Sequence, residues 1–253
     1  MIKRVRITDL TRMSPPRVCI AGYDEDNICV RPVLRYEQIV EDDLNTATGL
    51  ITPFAEVEYD LTPAPGAAPH VEDQVYAPQS VKWVRALSEH ERYNLLRATA
   101  LPRVEEAFGA PLVNIGGYFV RMGSGLRSLV TIHLRHAPTV QLLEQSGHTK
   151  WRLTFRDSAN HEYNLPITDL TWHYFAAVQR QYGGNDCKAL EGRLNRLLVQ
   201  SDHFLRLGLT REFPSGSHQC WLQVNGIYTF PDYLDGYTFA EYRAGLAAQA
   251  PTT

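Results

Sequence analysis

The most compact group of titratable side chains in this sequence is His70, Glu72 and Asp73. One imidazole beside two carboxylates could bind a divalent cation or carry out acid–base chemistry. The group follows a proline-rich segment, residues 62–69, that cannot lie inside a sheet because proline donates no ladder hydrogen bond. One histidine with two acids is an incomplete metal ligand set. We therefore expect a hydrogen-bonded loop anchor without a metal, and keep an enzyme acting on nucleotides or nucleic acid through these residues as an alternative.

Cationic and apolar side chains alternate in the stretch KWRLTFR, which begins at Lys150. A period of two is that of a β-strand, so Lys150, Arg152 and Arg156 share one face and the apolar residues between them share the other. A cationic strand face suits the phosphate backbone of a nucleic acid. Arg127 and Arg135 are two further cations that we assign to this nucleic-acid-binding surface. The alternative is an ordinary charged face in solvent.

Arg31 lies in an otherwise apolar predicted strand, residues 28–34. A guanidinium on such a face needs an anionic partner, because burying an unpaired charge is costly. That partner could be a phosphate, or a base could take its place as an acceptor. We favour an internal ion pair with Asp9, Glu72 or Asp73 over contact with a ligand.

The strand of Arg31 belongs to a predicted hairpin near the N terminus. Residues 17–23 and 28–34 are rich in β-forming side chains and flank a polar loop, residues 24–27. A four-residue loop places Ile20 opposite Arg31. The opening of the chain is therefore typical of a small β-barrel.

Helices are predicted at three places. Ser88 with Glu91 three residues later forms a capping-box pattern that starts a helix over residues 88–108. Two more helices are predicted near residues 170–182 and 188–200.

The order of predicted elements is strands, a helix, strands, two helices and strands again. It shows no regular βαβ alternation and no internal repeat. Asn225-Gly226 between two late strands is the strongest hairpin signal in the chain, since both residues tolerate positive φ. We predict a β-rich α+β protein of two barrel-like units with accessory helices, residues 1–116 and 117–253.

Several short stretches resemble prokaryotic proteins that carry a dual OB-containing domain. They are RVCIAG at residues 17–22, VRPV at residues 30–33, PHVED at residues 69–73, and residues 204–209 followed by 221–227. The resemblance implies that the two units are tandem OB-like β-barrels. It also implies association with nucleic acid, in a bacterial defence or mobile-element setting. It supplies no catalytic residue.

Composition limits the other classes of protein. The net charge of −3 argues against nonspecific coating of nucleic acid, but residues 37–81 carry nine acidic and no basic side chains while residues 121–211 carry twelve basic and seven acidic ones. The N-terminal residues do not resemble a signal peptide, and no apolar run is long enough to span a bilayer. Four widely spaced cysteines fit reduced thiols rather than zinc. We expect a cytoplasmic protein without a cofactor or a membrane partner.

The leading hypothesis is a non-catalytic module that binds single-stranded DNA or RNA, as a specificity or sensor subunit of a larger bacterial system. Base stacking would need exposed aromatic rings, for which the candidates are Tyr163, Trp172, Tyr228 and Tyr233. A protein-interaction adaptor that uses the acidic segment 37–81 is the other alternative, and a protein partner within a complex is compatible with both.

Overall fold

In a computed structural model of the protein, residues 1–145, 148–183, 186–199 and 201–248 are described. The strands of the N-terminal half are β1 (Ile2–Arg12), β2 (Val18–Tyr23), β3 (Cys29–Val33), β4 (Asn45–Thr46), β5 (Gly49–Leu50), β6 (Ala55–Pro63), β7 (Asp73–Tyr76), β8 (Lys82–Ala86) and β9 (Ala100–Leu101). Those that follow are β10 (Val113–Asn114), β11 (Tyr118–Arg121), β12 (Leu129–Leu134), β13 (Thr139–Gln145), β14 (His148–Arg156), β15 (Glu162–Pro166), β16 (Asp202–Leu209) and β17 (Gln219–Phe230). The helices are α1 (Glu89–Thr99), α2 (Leu170–Gly183), α3 (Cys187–Leu198) and α4 (Phe239–Ala248).

Five strands of the N-terminal half close into a barrel. Their order is β1-β2-β3-β7-β6, and β6 pairs back onto β1. The β3–β7 pair is parallel and the other pairs are antiparallel. Alternation decides which side chains fill the barrel: Val5 and Ile7 of β1 are fully buried, whereas Arg4 and Arg6 point outward. Strand β8 extends the sheet beyond β6.

The C-terminal half contains a six-stranded sheet, β10-β11-β17-β16-β12-β9, and a three-stranded sheet, β13-β14-β15. A parallel bridge between Ile167 and Val224 links the chain just after β15 to β17. Helices α2 and α3 lie between β15 and β16 in the chain, and α3 packs on β13, where Val140 N–H donates to Asn195 Oδ1 at 2.7 Å. The β-rich α+β class predicted from the order of elements is confirmed.

A buried ion pair crosses between the two halves. Arg206 of β16 and Asp9 of β1 are 0% and 1% exposed, and Arg206 Nε lies 2.8 Å from Asp9 Oδ2. The Tyr228 hydroxyl of β17 also donates to the carbonyl of Thr8, at 2.7 Å. The interface between the halves is therefore part of the protein core.

The predicted register of the first hairpin is wrong by one residue. Gly22 pairs with Val30 and Tyr23 pairs with Cys29, so Ile20 is not opposite Arg31. The loop has five residues because Asp24 organises it: its carboxylate accepts from the N–H of Ile28 at 2.9 Å. The side chain of Asp24 therefore sets the loop length.

The hairpin predicted at Asn225-Gly226 is also wrong, because β17 runs through both residues. Arg206 pairs with Gly226 and the next residue of β16 pairs with Val224, so Asn225 is the extra residue of a β-bulge. The strand is held beyond the bulge by Asp169, whose Oδ2 accepts from Ile227 N–H at 3.0 Å.

The helix expected over residues 88–108 is shorter than predicted. The capping box of Ser88 and Glu91 is present, but α1 ends at Thr99. The next two residues form β9, which pairs in parallel with β12, and Pro102 follows. Sheet pairing and the proline together therefore end the helix early. Within the described ranges, no helix has the length and apolar character needed to cross a bilayer.

Candidate functional site

A cleft of about 480 Å³ opens between the outer face of β2 and β3 and the loop that joins β16 to β17. Because Ile20 and Val30 point into the barrel, Cys19 and Arg31 face outward and line the cleft. Its walls combine apolar side chains with polar and charged ones. The apolar lining residues are Met13, Val18, Pro32, Val33, Leu34, Ile39, Leu209 and Phe213.

Arg31 is 3% exposed and joins the cleft to the proline-rich loop. Its Nε donates to Asp73 Oδ1 at 2.6 Å, and its Nη2 donates to His70 Nδ1 at 3.0 Å. Arg211, from the β16–β17 loop, binds the other oxygen of the same carboxylate, with Nη2 at 2.7 Å from Oδ2. One carboxylate is thus shared by two guanidinium groups, which leaves a local excess of positive charge.

This environment keeps His70 neutral. Burial lowers the pKa of His70 to about 3, and the positive charges of Arg31 and Arg211 act in the same direction. A neutral ring can accept the hydrogen bond from Arg31 that a protonated ring could not. Burial also raises the pKa of the Cys19 thiol, so the cleft contains a thiol rather than a thiolate.

Glu72 is directed away from this group. Its carboxylate accepts from Ser128 N–H at 2.5 Å, from Ser128 Oγ at 3.0 Å and from Leu129 N–H at 3.1 Å. The structure therefore brings His70 and Asp73 together through Arg31 and leaves Glu72 as an anchor for the start of β12. In the described part of the chain, no group of three or more His, Cys, Asp or Glu side chains is arranged to hold a metal.

Asp9 was one of three predicted partners for Arg31, but its partner is Arg206. Sequence patterns did not single out Arg206, which lies in an apolar strand. The partner of Arg31 is Asp73.

The cationic face of β14 is engaged within its own sheet. Arg152 donates to both Oδ1 and the carbonyl oxygen of Asn164, and Arg156 Nη2 lies 2.6 Å from Glu162 Oε2. Lys150 is exposed. The apolar residues between these cations are buried, as their alternation predicts. Arg152 and Arg156 thus already have polar partners.

Arg127 and Arg135 are both exposed, but they lie beyond opposite ends of β12. Arg127 lines a second cleft, of about 500 Å³, whose wall includes Glu72. Of the five cations predicted to bind nucleic acid, Arg127 and Arg135 are therefore separated by the length of β12.

The four aromatic residues predicted to stack on bases are all in the core. Tyr163, Trp172, Tyr228 and Tyr233 are each no more than 8% exposed, so the prediction that they present rings to a ligand is wrong. An exposed ring at the cleft is instead that of Phe213, which is 68% exposed. It was missed because it lies in a loop, where no periodic pattern marks it.

No family model and no curated protein matches this sequence.

Proposed function

We propose that this protein is a non-catalytic module made of two OB-like barrels, and that it binds single-stranded nucleic acid in the cleft beside Arg31. The observation that carries the proposal is the position of the cleft. It lies on the outer face of the second and third strands of a closed five-stranded barrel, the face with which OB folds bind oligonucleotides.

The strand order of the first barrel supports an OB-like assignment. Counting its five strands in chain order, β1, β2, β3, β6 and β7, the sequence of neighbours is 1-2-3-5-4-1 with a parallel pair between the third and fifth strands. That is the Greek-key arrangement of the OB fold. The loop between the first two strands, which OB folds use for binding, contributes Met13 and Ser14 to the cleft.

The pairing in the C-terminal half supports a second barrel of the same kind. If β12 and β13 are one strand interrupted at residues 135–138, the neighbours follow the same order. The first strand pairs with β14, β14 with β15, β15 meets β17 in parallel at Ile167 and Val224, and β16 returns to β12. Helices α2 and α3 fill the connection between the third and fourth strands.

The chemistry of the cleft suits a single strand. Arg12, Arg31 and Arg211 line it, and Arg12 and Arg211 are exposed. Arg12 Nη1 contacts His173 and Arg211 Nη2 binds Asp73, but each guanidinium has further N–H groups with which to bind a phosphate. Phe213 offers a ring on which one face of a base can stack, and aliphatic residues of the cleft can contact the other face of that base. Glu37 and Glu212 also line the cleft, so its charge is mixed and binding should depend on stacking as well as on cations.

The first test replaces the exposed ring. We expect Phe213→Ser to weaken binding of a fluorescein-labelled single strand of about twelve nucleotides by about 5- to 150-fold at low salt, the ~1–3 kcal/mol of one base–aromatic stack. Fluorescence anisotropy titration measures it. Tyr237→Ser, at a ring that is 57% exposed elsewhere, is the matched control and should bind like the wild-type protein.

The same titration separates the two cationic surfaces. Replacing Arg12 and Arg211 with glutamine should make the slope of log K against log salt concentration less negative, by ~0.7 for each phosphate contact that is lost. Neutralising Arg152 and Arg156 should leave the slope unchanged if the cleft is the binding site. The reverse result moves the site to the β14 face, and no binding of any single strand at low salt rejects the function.

A further inference from the structure

The inner wall of the cleft carries hydrogen-bond donors without partners. Arg31 uses Nε for Asp73 and Nη2 for His70, and its Nη1 has no hydrogen-bond partner among the described residues. Arg31 is almost completely buried, yet it lines the cleft. Nη1 is therefore a charged donor open to the cleft, and a hydrogen bond from a charged donor to a ligand acceptor is stronger than one between neutral groups.

Asn225 supplies a second such donor. It is the extra residue of the β17 bulge and is 4% exposed. Its amide packs so closely over Gly208 that a Cβ on residue 208 would clash with Asn225 Nδ2. Asn225 Oδ1 accepts from the Thr168 hydroxyl at 3.3 Å, while Nδ2 has no partner in the described ranges. The bulge and the glycine together direct this amide to the cleft.

Apart from the exposed carboxylate of Glu37 at the rim, the side-chain acceptors near the cleft are mostly occupied. Both oxygens of Asp73 bind guanidinium groups. Gln38 Oε1 accepts from Arg17 Nη1 at 2.8 Å, and Glu212 Oε1 accepts from His218 N–H at 2.7 Å. Thr11 and Gln223, also in the lining, each carry a donor and an acceptor and do not alter the balance. The inner wall therefore offers donors in excess.

We infer that the cleft selects a nucleobase that presents a carbonyl oxygen, as guanine, cytosine, thymine, uracil and hypoxanthine do, and disfavours adenine, which has none. The inference rests on the proposed function and adds a base preference to it. A carbonyl oxygen can accept from Arg31 Nη1 or Asn225 Nδ2. Adenine carries an exocyclic amine in place of the 6-carbonyl, so its N–H groups would face these donors and only its ring nitrogens could accept. Stacking on Phe213 alone would not discriminate, because every base has a π-face.

A minimal pair of ligands tests this without changing the protein. We would compare an oligo-dA strand of about twelve nucleotides with one in which every third adenine is replaced by hypoxanthine, in sodium buffer. Hypoxanthine has a 6-keto group in place of the 6-amino group of adenine and, as a consequence, a proton on N1. We expect the hypoxanthine strand to bind about 10- to 150-fold more tightly, the effect of one hydrogen bond from a charged donor. Equal binding of both strands overturns the base preference and leaves the proposed function standing, while no binding of either strand, or of oligo-dT, rejects the function itself.

An isosteric variant tests the role of Asn225. Asn225→Asp replaces the donor Nδ2 by an acceptor, so the preference for hypoxanthine over adenine should shrink or reverse. Asn114→Asp, at an exposed position of β10, introduces the same charge elsewhere and should keep the wild-type preference. Thermal unfolding of both variants checks that they fold. A folded Asn225→Asp protein that keeps the full wild-type preference contradicts the assignment of Asn225.

Discussion

Replacing Arg206 with methionine is expected to lower the free energy of unfolding by about 3–5 kcal/mol, the largest loss that we predict for a single substitution in this protein. Arg206 is fully buried and its Nε lies 2.8 Å from Asp9 Oδ2. Its Nη1 donates to the Thr131 hydroxyl at 3.0 Å and to the Tyr23 hydroxyl, and its guanidinium carbon lies 4.6 Å from the centre of the Tyr23 ring. Methionine fills the volume but leaves the carboxylate of Asp9 buried without a cation.

The cost comes from the orphaned charge rather than from a missing attraction, and a double variant separates the two. Removing both partners, as in Arg206→Met with Asp9→Leu, should recover a large part of the loss, because no unpaired charge then remains in the core. Urea or guanidinium unfolding at neutral pH gives the free energies. Strict additivity of the two single losses would mean that the pair is not coupled, and the explanation would then be wrong.

An exposed ion pair provides the control for this experiment. Arg156→Met breaks a contact of 2.6 Å with Glu162, but both side chains are close to half exposed. Exposed pairs contribute about 0–1 kcal/mol, so this variant should be nearly as stable as the wild-type protein. Since Arg206 and Asp9 also tie β16 to β1, we expect the two halves of the wild-type chain to unfold in one transition.

The strands that the sequence predicts well are those with one solvent-exposed face and one buried face. In β1 and β14 the apolar side chains at alternate positions are buried, because the period of two follows directly from strand geometry. The N terminus of α1 is equally predictable, since the capping box of Ser88 and Glu91 depends on residues three apart. These features are local, so a local pattern is enough to find them.

The features that sequence patterns missed depend on distant partners. Asn225-Gly226 has the composition of a tight turn, but the pairing of β17 with β16 and the hydrogen bond from Ile227 to Asp169 keep the chain extended. Arg206 lies 197 residues from Asp9, and no local pattern connects them. Tertiary contacts therefore override turn propensity in one case and supply the missing counter-charge in the other.

The same reasoning applies to the candidate site. The pairing of Arg31 with a carboxylate follows from the cost of burying a lone guanidinium, and Asp73 was one of the three candidates. The position of the cleft does not follow from the sequence, because the β16–β17 loop that brings Arg211 and Phe213 to it lies far along the chain. Only the packing of the two halves creates it.

Acidification below pH 6.5 is expected to destabilise the protein through His70. The pKa of His70 is lowered to about 3 in the folded state by burial and by Arg31 and Arg211, while the unfolded chain has the ordinary value of 6.5. Because the folded pKa lies below the unfolded one, the unfolded state binds the proton first as the pH falls. The stability that His70 contributes above pH 6.5 is thus lost at about 1.4 kcal/mol per pH unit, or about 2 kcal/mol by pH 5.

Other buried groups also titrate in this range, so the test uses a difference between variants. Burial lowers the pKa of His173 to about 4, in the same direction, and raises the pKa of Asp169 to about 7, which favours the folded state on acidification. His70→Gln can still accept from Arg31, yet it cannot be protonated. Its stability relative to the wild-type protein should therefore improve by about 2 kcal/mol between pH 7.5 and pH 5.

The control for this comparison is His90→Gln, at an exposed position of α1, which should keep the wild-type pH profile. Denaturant unfolding at the two pH values measures all three proteins. If His70→Gln loses as much stability as the wild-type protein between them, His70 accepts a proton in the folded state as readily as in the unfolded chain. It would then be wrong to assign a hydrogen bond from Arg31 to a neutral His70 ring, the contact that fixes the guanidinium at the inner wall of the cleft.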